Sequence, residues 1–301
     1  MSDLQQGCSP SECGTKPACA GCSHNHNQAA ETAKKEPPKV RKVIGVVSGK
    51  GGVGKSLVSG ELAVMLSRMG YRVGVLDADI TGPSIPRMFG IHDKALGDGE
   101  HIFPAETEKG IEVMSINLML ENDDAPVIWR GPVIAGAVKQ FWEDVAWGEL
   151  DVMVIDMPPG TGDIQLTLSQ SSPLTGAVVV TTPQDIALID AKKGLKMFEK
   201  VNVPLLGIIE NMSVFICPCC GEVTHIFGEG GAKRMSEQYG VPMLGELPLS
   251  PAIREAADSG RPTVAAEPES AAAKMYRAIA MKIAGSIAKL GKDYTARMPT
   301  I

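Results

Sequence analysis

The residues best suited to chemistry fall into two groups, one for phosphate and one for metal. The run Gly49-Lys50-Gly51-Gly52-Val53-Gly54-Lys55-Ser56 has the length and spacing of a phosphate-binding loop. Its glycines allow backbone N–H groups to turn inward around phosphate oxygens. A helix predicted to begin at Lys55 adds partial positive charge from its N-terminus. Lys55 is then placed to reach the β- and γ-phosphates of ATP, and Ser56 to ligate Mg²⁺. Contacts to the nucleotide extend to the adjoining Leu57. Asp156 ends the apolar run Val152–Ile155, where a carboxylate holds Mg²⁺ directly or through water. Pro158-Pro159-Gly160-Thr161-Gly162-Asp163 follows as a switch loop near the γ-phosphate.

The second group is sulfur. Of seven cysteines, Cys8, Cys13, Cys19 and Cys22 crowd the beginning of the chain, and Cys217, Cys219 and Cys220 share one later loop. An odd count fits a closed disulfide set poorly and points to metal ligation or thiol chemistry. Cys217-Pro218-Cys219-Cys220 contains a Cys-x-x-Cys pair, with Pro218 stiffening the turn. Two thiolates do not complete a [4Fe–4S] cluster, which usually takes four. A symmetric dimer with this loop on its two-fold axis would supply four, Cys217 and Cys220 from each chain.

These residues need a scaffold, and the hydrophobic pattern supplies one. Val43–Val47, Arg72–Asp77, Asp151–Asp156, Gly176–Thr181, Leu205–Ile209 and Met243–Pro248 read as buried strands. Lys55 to about Met69 and Asp185 to Lys200 read as helices between them. Such alternation predicts an α/β fold: three layers, a mostly parallel central sheet with helices on both faces. Asp77 and Asp79 fall at the carboxyl edge of the second strand, where ligands bind in such sheets. Asp77 also suits a purely structural cap. Residues 270–290 form an Ala-rich helix with Met275, Ile279, Ile283 and Ile287 on one stripe. That stripe is read as packing on the domain, with a basic amphipathic membrane anchor as the rival. The expected organisation is a flexible cysteine-rich tail and linker over 1–39, an ATPase domain over 40–292 and a short tail over 293–301.

Lys50, a second lysine within the loop, resembles the signature lysine of the deviant Walker A ATPases, which include MinD, ParA, nitrogenase iron protein and the arsenite-pump ATPase. With the cysteines, the resemblance narrows to the Mrp/NBP35/ApbC family of iron–sulfur carrier ATPases. It runs from about Val43 to Pro262. Its motifs are the loop, Asp77-Ala78-Asp79-Ile80-Thr81-Gly82-Pro83-Ser84, the Asp156–Asp163 run and Cys217-Pro218-x-Cys220. Thr81 stands where the family often has tyrosine, and Cys219 is an extra thiol within the motif.

The resemblance implies that Lys50 reaches a partner's nucleotide across a homodimer, that Asp79 orients the attacking water and that Asn211 meets the adenine edge. A loop-turn asparagine is the plainer reading of Asn211. It also implies slow ATP hydrolysis, a bridging [4Fe–4S] cluster and apo iron–sulfur proteins as recipients. The tail resembles a branch with a second [4Fe–4S] cluster there, although Cys13 precedes the pair Cys19 and Cys22 instead of a fourth cysteine following it. Zinc, with His24 and His26 nearby, is the rival for the tail, and no metal the third reading.

Bulk properties trim the alternatives. Net charge is -6, against a general nucleic-acid binder. The sequence has neither the roughly 18–20-residue apolar run of a membrane span nor a signal pattern, so a cytoplasmic protein without a membrane partner is expected. A MinD/ParA-like spatial regulator leaves both cysteine groups unexplained. A reductase like nitrogenase iron protein would draw its cluster ligands from two loops instead of one.

Overall fold

Val43 and Ile44 are neighbours in sequence yet belong to different hydrophobic cores, because successive strand side chains point to opposite faces. A computed structural model of the chain describes residues 39–80, 82–99, 101–120, 131–160, 162–171 and 174–290.

The chain begins β1 (Val40–Val47), α1 (Lys55–Arg68), β2 (Val73–Asp77) and the short α2 (Ile85–Met88). Four small strands follow: β3 (Leu96–Gly97), β4 (Ile102–Phe103), β5 (Ala105–Glu106) and β6 (Glu112–Ser115). Next come α3 (Gly131–Glu143), β7 (Leu150–Asp156), α4 (Asp163–Ser171), β8 (Gly176–Thr181), α5 (Asp185–Lys200) and β9 (Leu205–Glu210). A hairpin of β10 (Phe215–Ile216) and β11 (Val223–Thr224) leads to α6 (Gly231–Tyr239) and β12 (Met243–Glu246). α7 (Pro251–Asp258), α8 (Thr263–Ala266) and α9 (Ala271–Lys289) complete the described chain.

The main sheet has the order β12-β9-β8-β1-β7-β2-β6-β5. Every neighbouring pair is parallel except β5 against β6. One core lies between the sheet and α3–α6, with Trp142, Leu168, Phe198 and Met235 packed on Val43, Val47 and Met153. The other lies beneath α1, α2 and α9, with Leu62, Leu66, Tyr276 and Ile283 packed on Ile44, Val46 and Val154. Burying a side chain such as Leu62 or Leu66 stabilises the fold by about 2 kcal/mol. The three-layer α/β expectation therefore stands.

The stripe expected on the last helix needs one correction. Ile279, Ile283 and Ile287 are buried, joined by Ala273, Tyr276, Ala280 and Ala284, but Met275 is exposed. The helix steps by threes and fours to stay on the sheet, and a strict step of four drifts off that face. Among the described residues, no helix is long and apolar enough to cross a membrane.

Candidate functional site

Parallel strands deliver their carboxyl ends to one edge, and the chemistry-bearing residues collect there. The loop Gly49–Ser56 follows β1, Asp77 ends β2, Asp156 ends β7 and Asn211 follows β9. Gly54 caps α1 with φ 80°, a left-handed conformation that suits glycine, and Gly52 shares it. A Cβ on Gly49 would collide with the backbone of Asp190 and Ala191 in α5, so the loop's entry is seated on that helix.

Lys55 lies at the centre and is nearly buried. Its Nζ stands 2.8 Å from Asp156 Oδ2 and 3.7 Å from Asp79 Oδ2. The Asp156 carboxylate is wholly buried and accepts from Ser56 Oγ at 2.6 Å, while Ser59 Oγ lies 2.7 Å from its other oxygen. Asp77 and Asp156 are direct partners in the β2–β7 register. Burial, followed by the charge of Asp156, pushes the Asp77 carboxyl up to about 8. Asp77 Oδ2 faces the backbone N–H groups of Ser84 and Ile85 at 3.2 and 3.3 Å, and its Oδ1 faces that of Asp79 at 3.2 Å. These contacts suit the structural cap: Asp77 tethers the start of α2 and orients the turn that carries Asp79.

Asn211 is buried, and its Nδ2 donates to the Val53 carbonyl at 2.9 Å. It thereby ties the phosphate loop to the end of β9. It also lines a cavity of about 380 Å³, together with Leu57, Met212, Pro248, Leu249 and Ile253. That volume and apolar wall suit a planar heterocycle. Lys50 is exposed on the loop.

The cysteine hairpin grows from the same strand end. Ser213 donates from its backbone N–H to the Leu247 carbonyl at 2.9 Å, and Leu249 donates to the Val214 carbonyl at 2.8 Å. Phe215 bridges to Leu249, a wall of the cavity. His225 Nδ1 lies 3.3 Å from the Ser213 carbonyl. The turn closes through Cys217 N–H to Glu222 O and Gly221 N–H to Cys217 O, both 2.9 Å. Cys217 is half-buried, Cys219 and Cys220 are exposed, and all three thiols are free. Backbone N–H groups of Cys220 and Cys219 aimed at the Cys217 sulfur pull its thiol pKa down, favouring thiolate. Cys8, Cys13, Cys19 and Cys22, with Thr81 and Thr161, lie outside the described residues.

The family model ParA, described as the NUBPL iron-transfer P-loop NTPase, matches residues 39–284. The chain belongs to this family. An iron-sulfur cluster carrier protein of Pseudomonas fragi is 52% identical over 245 residues, covering 80% of this chain and 85% of that protein. A nucleotide-binding protein from Archaeoglobus fulgidus, solved in complex with ADP, is 42% identical with a TM-score of 0.67, over 77% of this chain and 90% of that one. The cell division ATPase MinD of Pyrococcus furiosus is 25% identical with a TM-score of 0.61, over 81% of this chain and 99% of that one.

Several residues of this P-loop NTPase escaped the sequence reading. Ser59 was legible in principle: it follows Lys55 by four, one turn along the same helix face. Glu61, also on α1, is buried and accepts N–H bonds from Thr263 at 2.7 Å and Val264 at 2.9 Å, pinning the start of α8. Glu210 accepts from the Ala232 N–H at 2.6 Å and anchors α6. Burial pushes both carboxyls above the ordinary glutamate value. Their partners lie far along the chain, where no local spacing signals them.

Proposed function

We propose that this P-loop NTPase carries a [4Fe–4S] cluster to apo-proteins and couples that hand-off to ATP hydrolysis. One observation carries the reading. Asn211 at the proposed base cavity and Cys217 at the proposed cluster turn lie on a single continuous segment, anchored through Ser213 and Phe215 to Leu247 and Leu249. A shift at the nucleotide therefore has a short covalent route to the thiols. The carrier names of relatives at about half identity favour this reading over a MinD-like spatial regulator.

On this reading Lys55 meets the β- and γ-phosphates, and Gly49, Lys50, Gly51, Gly52, Val53 and Gly54 wrap them with backbone N–H groups. Ser56 and Asp156 would hold Mg²⁺, directly or through water. Their oxygens lie 2.6 Å apart at a helix N-terminus, an all-oxygen set that suits this hard cation. Bound there, the ion neutralises charge on the phosphates. Asp79, 3.7 Å from Lys55, orients the attacking water. Leu57 and Asn211 face the adenine, and Lys50 reaches a partner's nucleotide.

The cluster is cargo. Cys217 and Cys220 from each of two chains hold one cluster, so the functional unit is a homodimer. Exposed Ile186 and Ile189 on α5, with Ile216 and Val223 at the hairpin, support a partner-facing surface. Free thiols fit the cytoplasm, which keeps them reduced. Cys8, Cys13, Cys19 and Cys22 bind a second [4Fe–4S] cluster, with zinc as the rival.

Anaerobic reconstitution with iron and sulfide tests this, with wild type beside Cys217→Ala/Cys220→Ala. About six irons per chain falling to about four is the expected result, one tail cluster plus a half share of the bridging one. About two irons that vanish in the variant would leave the tail to zinc or to no metal. No cysteine-dependent iron in either protein would overturn the carrier reading.

A further inference from the structure

The last helix has a second face that neither the nucleotide site nor the cysteine turn uses. Tyr276, Ile279, Ile283 and Ile287 of α9 pack inward on the sheet. Outward the helix exposes Lys274, Met275, Arg277, Met281, Lys282 and Lys289. It carries four cations and no acid, in a chain of net charge -6. α1 packs beside it, exposes Arg68 and keeps its one acid, Glu61, buried. Glu267 and Glu269 stand ahead of the N-cap Ser270, and Glu246 is exposed on β12. Lys282 donates from Nζ to the Met243 and Leu244 carbonyls at 3.2 and 2.6 Å, which blunts the sheet's edge strand against pairing. Lys274, Arg277 and Lys289 form no ion pair with another described residue, so their charge is open to a partner.

The face is also well placed. Tyr276, between Lys274 and Arg277 in sequence, lines the cavity of about 380 Å³ proposed for the base. Leu249, another wall of that cavity, bridges to Phe215 of the cysteine hairpin. The two cations therefore stand at the same sheet edge as the turn that presents the thiols. An anionic membrane would favour Trp, Phe or Leu among the cations. The large apolar side chains that α9 exposes are Met275 and Met281, whose unbranched chains adapt to an uneven protein surface. We propose that this face receives an acidic surface of the recipient protein and holds it beside the cysteine turn while the cluster passes. The proposal rests on the carrier reading and names where its recipient docks. Cations arranged in this way speed the encounter and set its orientation more than they add affinity.

The test measures two rates with an apo-ferredoxin of the [4Fe–4S] type that has an acidic surface: association with the cluster-free protein, by fluorescence anisotropy, and transfer from the reconstituted protein. Lys274→Glu/Arg277→Glu reverses the face. Lys196→Glu/Lys233→Glu, exposed on α5 and α6 across the sheet, changes net charge equally elsewhere. Association with wild type is expected to slow as salt rises from about 50 to about 300 mM, because the screening length shrinks. The face reversal slows association and transfer by on the order of tenfold, while the control pair keeps both within about twofold. Iron per chain and ATP hydrolysis stay at the wild-type level in both variants. Equal slowing by the two pairs overturns the proposal, since net charge alone would then govern the encounter, and so does no slowing by either. Sedimentation of wild type but not the face reversal with vesicles of about 30% phosphatidylserine, with ferredoxin association unchanged, gives the face to an anionic membrane and also overturns it. Absence of hairpin iron in wild type overturns the underlying carrier reading itself, a result distinct from any change in association.

Discussion

The two chemical regions are built in opposite ways. Around Asp156 the donors converge: Lys55, Ser56 and Ser59 meet one buried carboxylate, and burial raises the Asp77 carboxyl beside it. The cysteine turn rests on two strands of two residues each, and two of its three thiols are open to water. A buried constellation keeps its geometry through repeated turnovers, because few donors can leave it without orphaning a charge. An exposed turn gives up its ligands easily. That contrast suits a resident nucleotide site beside cargo that must depart.

Removing the central cation is the severest way to break this contrast. Lys55→Ala leaves Asp156 and Asp79 facing the phosphates without their counter-charge. ATP hydrolysis is expected to fall on the order of a thousandfold, in a steady-state phosphate-release assay. Iron loading at the hairpin should persist in the same variant. Loss of both together would mean the two regions form one cooperative unit. The reciprocal change is Cys217→Ser/Cys220→Ser. Hairpin iron should vanish, while the urea unfolding free energy stays within about 0.5 kcal/mol of wild type, as expected for an exposed turn. A larger stability loss would show that the hairpin supports the fold as well as the cargo.

The same contrast explains what could be read from the sequence. The phosphate loop, Asp79 and Asp156 could be placed at the sheet's carboxyl edge because each follows an apolar run whose length marks a buried parallel strand, whereas the roles expected of Asp79 and Asn211 came from the family resemblance. The seven parallel strands share a simple signal, and the one between Glu112 and Ser115 was missed for its brevity. The hairpin was found by its cysteines alone: Phe215–Ile216 and Val223–Thr224 are too short for an alternation pattern. Glu61 stayed hidden because a glutamate on a helix reads as solvent-facing. Its partners, Thr263 and Val264, lie beyond nearly the whole intervening domain. Met275 misled because a step of four looks like a face until the helix winds past it.

A finer cut at the buried site removes a donor and no charge. Ser59→Ala takes away the hydroxyl 2.7 Å from Asp156 Oδ1. Leaving a buried carboxylate oxygen short of one partner costs about 1–3 kcal/mol, measurable by urea unfolding without nucleotide. A cost below about 0.5 kcal/mol would mean that water enters and replaces the hydroxyl, making the site less closed than its geometry implies.

Glu61 gives the smallest effect and the one with a definite sign. Burial raises its carboxyl above the ordinary value of 4.5, and the N–H groups of Val264 and Thr263 only partly offset this. The folded state therefore holds the Glu61 proton more tightly than the unfolded chain does. Stability from this group is fully present below about pH 4.5 and is lost as pH rises from there through the folded pKa. Glu61→Gln keeps one acceptor for α8 but cannot titrate. The difference in unfolding free energy between wild type and variant should accordingly shift against wild type as pH rises above 4.5, in urea series taken at several pH values. A difference independent of pH would mean that the two N–H bonds balance burial, and the opposite slope, wild type losing stability as pH falls, would mean that they outweigh it. In that second case the pinning of α8 to the phosphate-loop helix would be charge-assisted.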